Sequence, residues 1–162
     1  LVAFLCGGIL LLPVLFNLYT FQAQGLTLIV TCYAAFAFML TFIREIIKDM
    51  EDIDGDQASG CKTLPIIAGI KWSKIVVVIC SLIVAVSIGW FQYLQWQSDT
   101  FDTLDYKSFV YIALFVQLPV ILMIYQVAKA NNKTDFHRAS TTAKIIMVNG
   151  LLSIIVFWWL MK

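Results

Sequence analysis

The sequence predicts an all-α integral membrane protein, and two observations support this. Of its 162 residues, 61% are hydrophobic and only 13% are charged, which is typical of membrane proteins and not of soluble domains. The apolar residues also fall in long uncharged runs, each close to the length of about 20 residues that a helix needs to cross a bilayer. The net charge of +1 gives no basic excess, so the composition does not indicate a nucleic-acid partner.

Five apolar runs are predicted to be transmembrane helices, and together they form one membrane domain over residues 1–162. Prolines interrupt the first and the fourth run, and aromatic residues cluster at the end of the third, as at a membrane interface. The second run leads directly into an acidic segment. The predicted spans are approximately residues 1–21, 26–43, 75–95, 108–128 and 145–161.

The acidic segment after the second run is the candidate functional site. It holds six of the ten acidic residues. Because a dense cluster of charges at the end of a membrane span is energetically costly, such a cluster indicates a functional site. Asp49, Asp52 and Asp56 are spaced i, i+3 and i+7, which places their carboxylates on one face of a helix. Glu45 lies one turn earlier on that face, whereas the neighbouring acidic residues point elsewhere.

Clustered carboxylates repel one another unless they share a cation. Hard oxygen ligands that leave room for water suit Mg²⁺, which proteins usually hold with a few carboxylates together with substrate phosphates. The spacing therefore predicts that Asp49, Asp52 and Asp56 bind Mg²⁺ beside a phosphate-bearing substrate at a membrane surface.

The residues after the aspartates extend this pattern. D-x-x-D-x-x-x-D is followed by G-x-x-T-L-P and a further glycine, with Gly60, Thr63, Leu64, Pro65 and Gly69 in those places. The combination resembles the second aspartate-rich motif of the UbiA superfamily of intramembrane prenyltransferases. The segment REIIKDMEDIDGD is most similar to its digeranylgeranylglyceryl-phosphate-synthase-like branch, which makes ether lipids.

The resemblance implies Mg²⁺-dependent transfer of a prenyl group, geranylgeranyl in this branch, from an isoprenoid diphosphate to a lipophilic acceptor. A glycerol-phosphate ether lipid precursor is the expected acceptor, and an aromatic quinone precursor is the alternative. Asp49, Asp52 and Asp56 would be the catalytic, metal-binding residues. Lys48 and Lys62 are candidates to bind the diphosphate because they lie close by in the sequence.

The resemblance also implies a nine-helix bundle, of which the five predicted spans would be the last five. The chain begins without Met inside an apolar run, so we expect it to be the C-terminal part of a longer protein. The first aspartate motif of the family, which shares the metals, would then lie upstream. The 162-residue chain alone is therefore expected to be inactive.

The basic residues predict which side of the membrane carries the site. Nine of the eleven lysines and arginines flank the second and fourth connections, and only Lys107 and Lys162 lie on the opposite side. The positive-inside rule then places the aspartates and the 129–144 connection together at the cytoplasmic face, in a prokaryotic cytoplasmic membrane. His137, in that connection, is predicted to have a surface or interfacial role, with phosphate contact as the less favoured alternative.

Other interpretations explain less of the sequence. A solvated helix end paired with nearby lysines does not account for the G-x-x-T-L-P continuation. A calcium loop counted from Asp52 has its glycine at position four instead of six, and Thr63 where position twelve requires glutamate. In the CDP-alcohol phosphotransferase motif, Ser59 would replace the required arginine. A cation-coupled transporter would need ionisable residues near mid-membrane, and the five apolar runs have none.

Overall fold

The computed structural model describes residues 24–97 and 103–160, and every regular element within these two ranges is a helix. The first predicted span, residues 1–21, lies outside the described residues. A π-helical turn, Ala113–Gln117, joins the helix that ends at Ile112 to the helix that begins at Leu118. The helices are α1 (Gln24–Glu51), α2 (Ile53–Ala58), α3 (Leu64–Ala68), α4 (Ile70–Gln97), α5 (Thr103–Ile112), α6 (Leu118–Lys129) and α7 (Lys133–Leu160).

Four stretches of the described residues are long and apolar enough to cross a membrane. They are Val30–Glu51, Ile70–Leu94, Tyr106–Lys129 and Lys133–Val156. Each overlaps one of the later predicted spans, and Tyr106–Lys129 contains the whole of residues 108–128. The largest extension beyond a predicted span is in α7, which begins at Lys133 although its apolar run begins at residue 145. Its start is stabilised by Asp135, whose carboxylate accepts hydrogen bonds from the N–H groups of Asn131 and Asn132 at 3.1 and 3.3 Å.

The long helices form a ring. α1 packs against α4 and α7, and α6 packs against the same two helices. The core side chains of α1 and α7 recur at intervals of three and four residues, the spacing of one helix face. Most of them lie in the halves nearest the acidic segment, so the best-packed part of the bundle supports the candidate site. These buried residues are Leu40, Ile43, Ile47 and Met50 of α1, Val77 of α4, Val120, Met123 and Val127 of α6, and Phe136, Ala139, Ala143 and Ile146 of α7.

The outer surface of the bundle is strongly apolar. Large side chains such as Trp72, Val86, Ile121 and Ile155 are more than half exposed. A soluble monomer rarely exposes so much apolar surface, whereas in a bilayer these side chains contact lipid tails. The chain is therefore an all-α integral membrane protein.

Candidate active site

The acidic segment lies at a bend between α1 and α2. α1 ends at Glu51, and Asp52 has φ −105° and ψ 19° at the junction. Helical hydrogen bonds continue through the bend, since the N–H of Asp52 donates to the carbonyl four residues earlier and the N–H of Asp56 donates to Asp52, both at 3.0 Å. The prediction of a single helix is thus wrong in detail, because Asp49 belongs to α1 and Asp56 to α2.

The predicted aspartates are nevertheless close enough to interact. The half-buried carboxylate of Asp49 has charged neighbours on both sides of the bend. It is repelled by the carboxylates of Asp56, Glu45 and Asp52 and is attracted by the ammonium of Lys48. These three carboxylates are the ones that the spacing predicts as neighbours of Asp49. The repulsion has a physical consequence, because a cation shared by these groups would be bound favourably.

The chemistry of this donor set fits Mg²⁺. Asp49, Asp52 and Asp56 offer carboxylate oxygens, the hard ligands that Mg²⁺ prefers. Within residues 24–97 and 103–160, no three acidic, histidine or cysteine side chains converge closely enough to hold a metal by themselves. A magnesium site here would need further oxygen ligands from water, substrate phosphates or another segment, which is the usual arrangement for this ion.

Gly60 follows the C-cap residue of α2, four residues after the third aspartate. The N–H of Cys61 donates to the carbonyl of Asp56 at 2.9 Å, and the N–H of Gly60 donates to the carbonyl of Gln57 at 3.1 Å. These two bonds form a Schellman motif, which requires a left-handed residue, and Gly60 has φ 69°. The glycine of G-x-x-T-L-P is therefore a backbone requirement that fixes the main chain at Asp56.

The start of α7 supplies basic groups to the acidic segment. Nζ of Lys133 lies 3.1 Å from Oδ1 of Asp52, and Nδ1 of His137 lies 2.8 Å from Oε1 of Glu51. Lys133 and His137 are one helical turn apart, so they share a face of α7. The connections at residues 52–69 and 130–132 therefore meet at one end of the bundle, as the distribution of basic residues predicted.

The two lysines predicted to bind a diphosphate are both exposed. Lys48 is in the last turn of α1 beside Asp49, and Lys62 is in the connection between α2 and α3. Among the described residues, neither forms an ion pair, and the acidic segment is paired instead with Arg44, Lys133 and His137. The sequence predicts only a surface or interfacial role for His137, and it does not predict that Lys133 and His137 pair with acidic residues. Their only signal is a one-turn spacing in a basic connection predicted to lie on the same side.

The fold and the site define a helical integral membrane protein with clustered carboxylates and facing basic side chains at one end of its bundle. The sequence matches the UbiA prenyltransferase family over residues 1–148. The chain belongs to this family.

Curated relatives with similar sequences share one name. The chain is 32% identical over 120 residues to a digeranylgeranylglyceryl phosphate synthase of Methanosphaera stadtmanae. The aligned region covers 73% of the chain and 40% of the relative. It is 30% identical over 122 residues to the protein of the same name from Thermococcus onnurineus, and this aligned region covers 75% of the chain and 39% of the relative. The chain thus spans about two fifths of the length of these relatives. No solved structure matches it significantly.

Proposed function

We propose that this chain carries the second half of the active site of a prenyltransferase that moves a geranylgeranyl group from an allylic diphosphate to a glycerol-phosphate lipid. The observation that carries the proposal is the half-buried carboxylate of Asp49, which is repelled by the carboxylates of Asp56, Glu45 and Asp52 at one end of an apolar bundle. Family membership supports prenyl transfer. The name of the relatives, digeranylgeranylglyceryl phosphate synthase, supports an ether-lipid acceptor.

The chemical difficulty of the reaction is the departure of a diphosphate in apolar surroundings, where concentrated negative charge is disfavoured. Asp49, Asp52 and Asp56 would hold Mg²⁺, which when bound neutralises charge on the leaving group. Lys48 and Lys62 lie in the same segment, and we propose that they add positive point charges toward the diphosphate.

The buried apolar residues at the packed end of the helix ring also limit the access of water to the proposed site. Ile47 and Met50, on either side of Asp49, are buried, as are Val127 of α6 and Phe136 of α7. This apolar layer lies directly beside the carboxylates. It restricts the access of water, which would otherwise capture the allylic cation before the acceptor does.

The chain spans about two fifths of the length of its relatives, and we propose that a further aspartate-rich motif outside these residues completes the site. The 162-residue chain by itself would then be inactive. The basic residues around the acidic segment favour a site at the cytoplasmic face of a prokaryotic cytoplasmic membrane.

The test is a transfer assay on the purified full-length protein with radiolabelled geranylgeranyl diphosphate. The acceptors are geranylgeranylglyceryl phosphate and, separately, a hydroxybenzoate as an aromatic quinone precursor. We expect labelled ether lipid with Mg²⁺ present and no product with excess EDTA. Transfer to the aromatic acceptor alone would replace the ether-lipid assignment. Undiminished transfer in EDTA would exclude a requirement for Mg²⁺. No transfer to either acceptor would refute the proposed prenyltransferase activity.

A further inference from the structure

The ion pair between Lys133 and Asp52 joins a proposed metal ligand to a cation from a distant helix. The two atoms are 3.1 Å apart, and the side chains are 67% and 45% exposed. Because water screens both charges, a pair this exposed contributes little to stability. Lys133 can therefore leave Asp52 at little cost when another cation takes the carboxylate.

The start of α7 does not depend on this pair for its position. Further along the helix, Phe136 and Ala139 are buried in the core of the bundle, which fixes this part of α7. His137 also contacts Glu51 at 2.8 Å, with the two side chains 66% and 15% exposed. Asp135 caps the helix start by accepting two backbone hydrogen bonds. The backbone that carries Lys133 is thus held beside the acidic segment even when its side chain moves.

α4 supports the same region from a second direction. Lys74 donates a hydrogen bond to the carbonyl of Ala130, and its ammonium lies 5.7 Å from the centre of the Phe136 ring. Ala130 and Phe136 are both buried. Buried side chains therefore anchor the chain on both sides of Lys133, whose own side chain is exposed beside Asp52.

Resting on the proposed function, we propose that Lys133 is a phosphate-binding residue of this site. Its ammonium contacts Asp52 in the substrate-free protein and a substrate phosphate oxygen once a cation occupies Asp52. A flexible lysine with three donors suits this exchange, because it can follow a charge without a fixed geometry. The proposed donor carries a diphosphate and the proposed acceptor a phosphate monoester, so the shared chemistry is a phosphate oxygen next to Asp52.

The test uses the full-length protein with Lys133→Gln, Lys133→Arg and a matched control, Lys144→Gln, which removes an exposed lysine from the same helix. Calorimetry measures the binding of inorganic pyrophosphate and, separately, glycerol 1-phosphate, each with Mg²⁺. Steady-state assays give KM for donor and acceptor. We expect Lys133→Gln to weaken pyrophosphate binding and raise the donor KM about tenfold, with kcat changed much less. Lys133→Arg should retain most binding, and Lys144→Gln should match the wild type.

The two phosphate sources give different results. If the acceptor phosphate is the partner, glycerol 1-phosphate binding and the acceptor KM change in place of the donor values. Unchanged binding of both probes and unchanged KM values in Lys133→Gln, with wild-type transfer intact, overturn the inference alone. Absence of transfer in the wild type refutes the proposed function instead. If Lys133→Gln does not fold, Lys133→Met keeps the aliphatic stem and carries the same test.

Discussion

The side-chain amide of Asn149 donates a 3.0 Å hydrogen bond to the carbonyl of Phe115. In a regular helix that carbonyl would accept a hydrogen bond from the residue four positions later, but this residue is Pro119, which has no N–H. The helix widens just before the proline, where the N–H of Leu118 donates to Ala113, five residues earlier. Polar groups in an apolar span must be satisfied within the protein, so α7 supplies the donor that the proline removed.

Asn149→Leu is expected to lower the free energy of unfolding by about 1 kcal/mol, because the carbonyl of Phe115 loses its donor. In a Pro119→Ala background the cost should be smaller, since the new N–H at position 119 can pair with that carbonyl. Unfolding of the full-length protein in mixed micelles measures the free energy of unfolding of the wild type, the two single variants and the double variant. Equal costs in both backgrounds would contradict the pairing. Ser87→Ala, whose exposed hydroxyl bonds only to its own helix, is the control.

Neutralising any one of the three aspartates should abolish transfer. Asp49→Asn, Asp52→Asn and Asp56→Asn keep the side-chain shape and remove the charge, so we expect losses of at least about 100-fold in kcat with unchanged folding. The matched control is Asp54→Asn, an exposed acid on α2 that is not among the charged neighbours of Asp49. A comparable loss at position 54 would show that general charge, and not the cluster, matters.

Gly60→Ala and Gly55→Ala should change stability in opposite directions. A Cβ at either glycine would meet no atom within 4 Å, so steric crowding does not separate them. Gly60 has φ 69°, and alanine there is expected to cost about 1 kcal/mol. Gly55 lies inside α2, where alanine favours the helix by up to about 1 kcal/mol. Thermal unfolding in detergent measures both changes. No loss of stability in Gly60→Ala would contradict this account of Gly60, and a loss in Gly55→Ala would contradict the helix-propensity argument.

A thiol reports the side of the membrane that carries the site. Cys61 is exposed beside the end of α2, whereas Cys32 and Cys80 lie within spans. With Cys61 as the sole cysteine, a membrane-impermeant maleimide should label inside-out vesicles and leave right-side-out vesicles unlabelled. The reverse labelling would place the aspartates outside and exclude the cytoplasmic assignment. A variant with Cys80 as its only thiol should resist labelling in both preparations.

The local features of the site could be predicted from the sequence, because they depend on spacing. The i, i+3, i+7 pattern predicts Glu45 and the three aspartates as neighbours, and the carboxylate of Asp49 is within electrostatic range of the other three. The bend at Asp52 could not be predicted, because its hydrogen bonds are helical on both sides and only the dihedral angles of one residue differ.

Contacts between distant parts of the chain were beyond the reach of the sequence. Lys133 and His137 meet partners 81 and 86 residues away, and no spacing rule relates such positions. The start of α7 at Lys133 could not be predicted from the sequence for a different reason. Its first turns are polar on the surface, so hydropathy underestimates the helix, although Phe136 and Ala139 already follow the buried face.

Ala139 and Ala143 of α7 are fully buried and small, and they belong to the same rigid rod as Lys133 and His137. Because both side chains are completely buried, there is no free space for a larger residue at either position. Bulkier replacements there would swing the two basic groups through an arc and misalign them with the carboxylates. Packing inside the apolar layer would therefore control how the two basic groups meet the acidic segment.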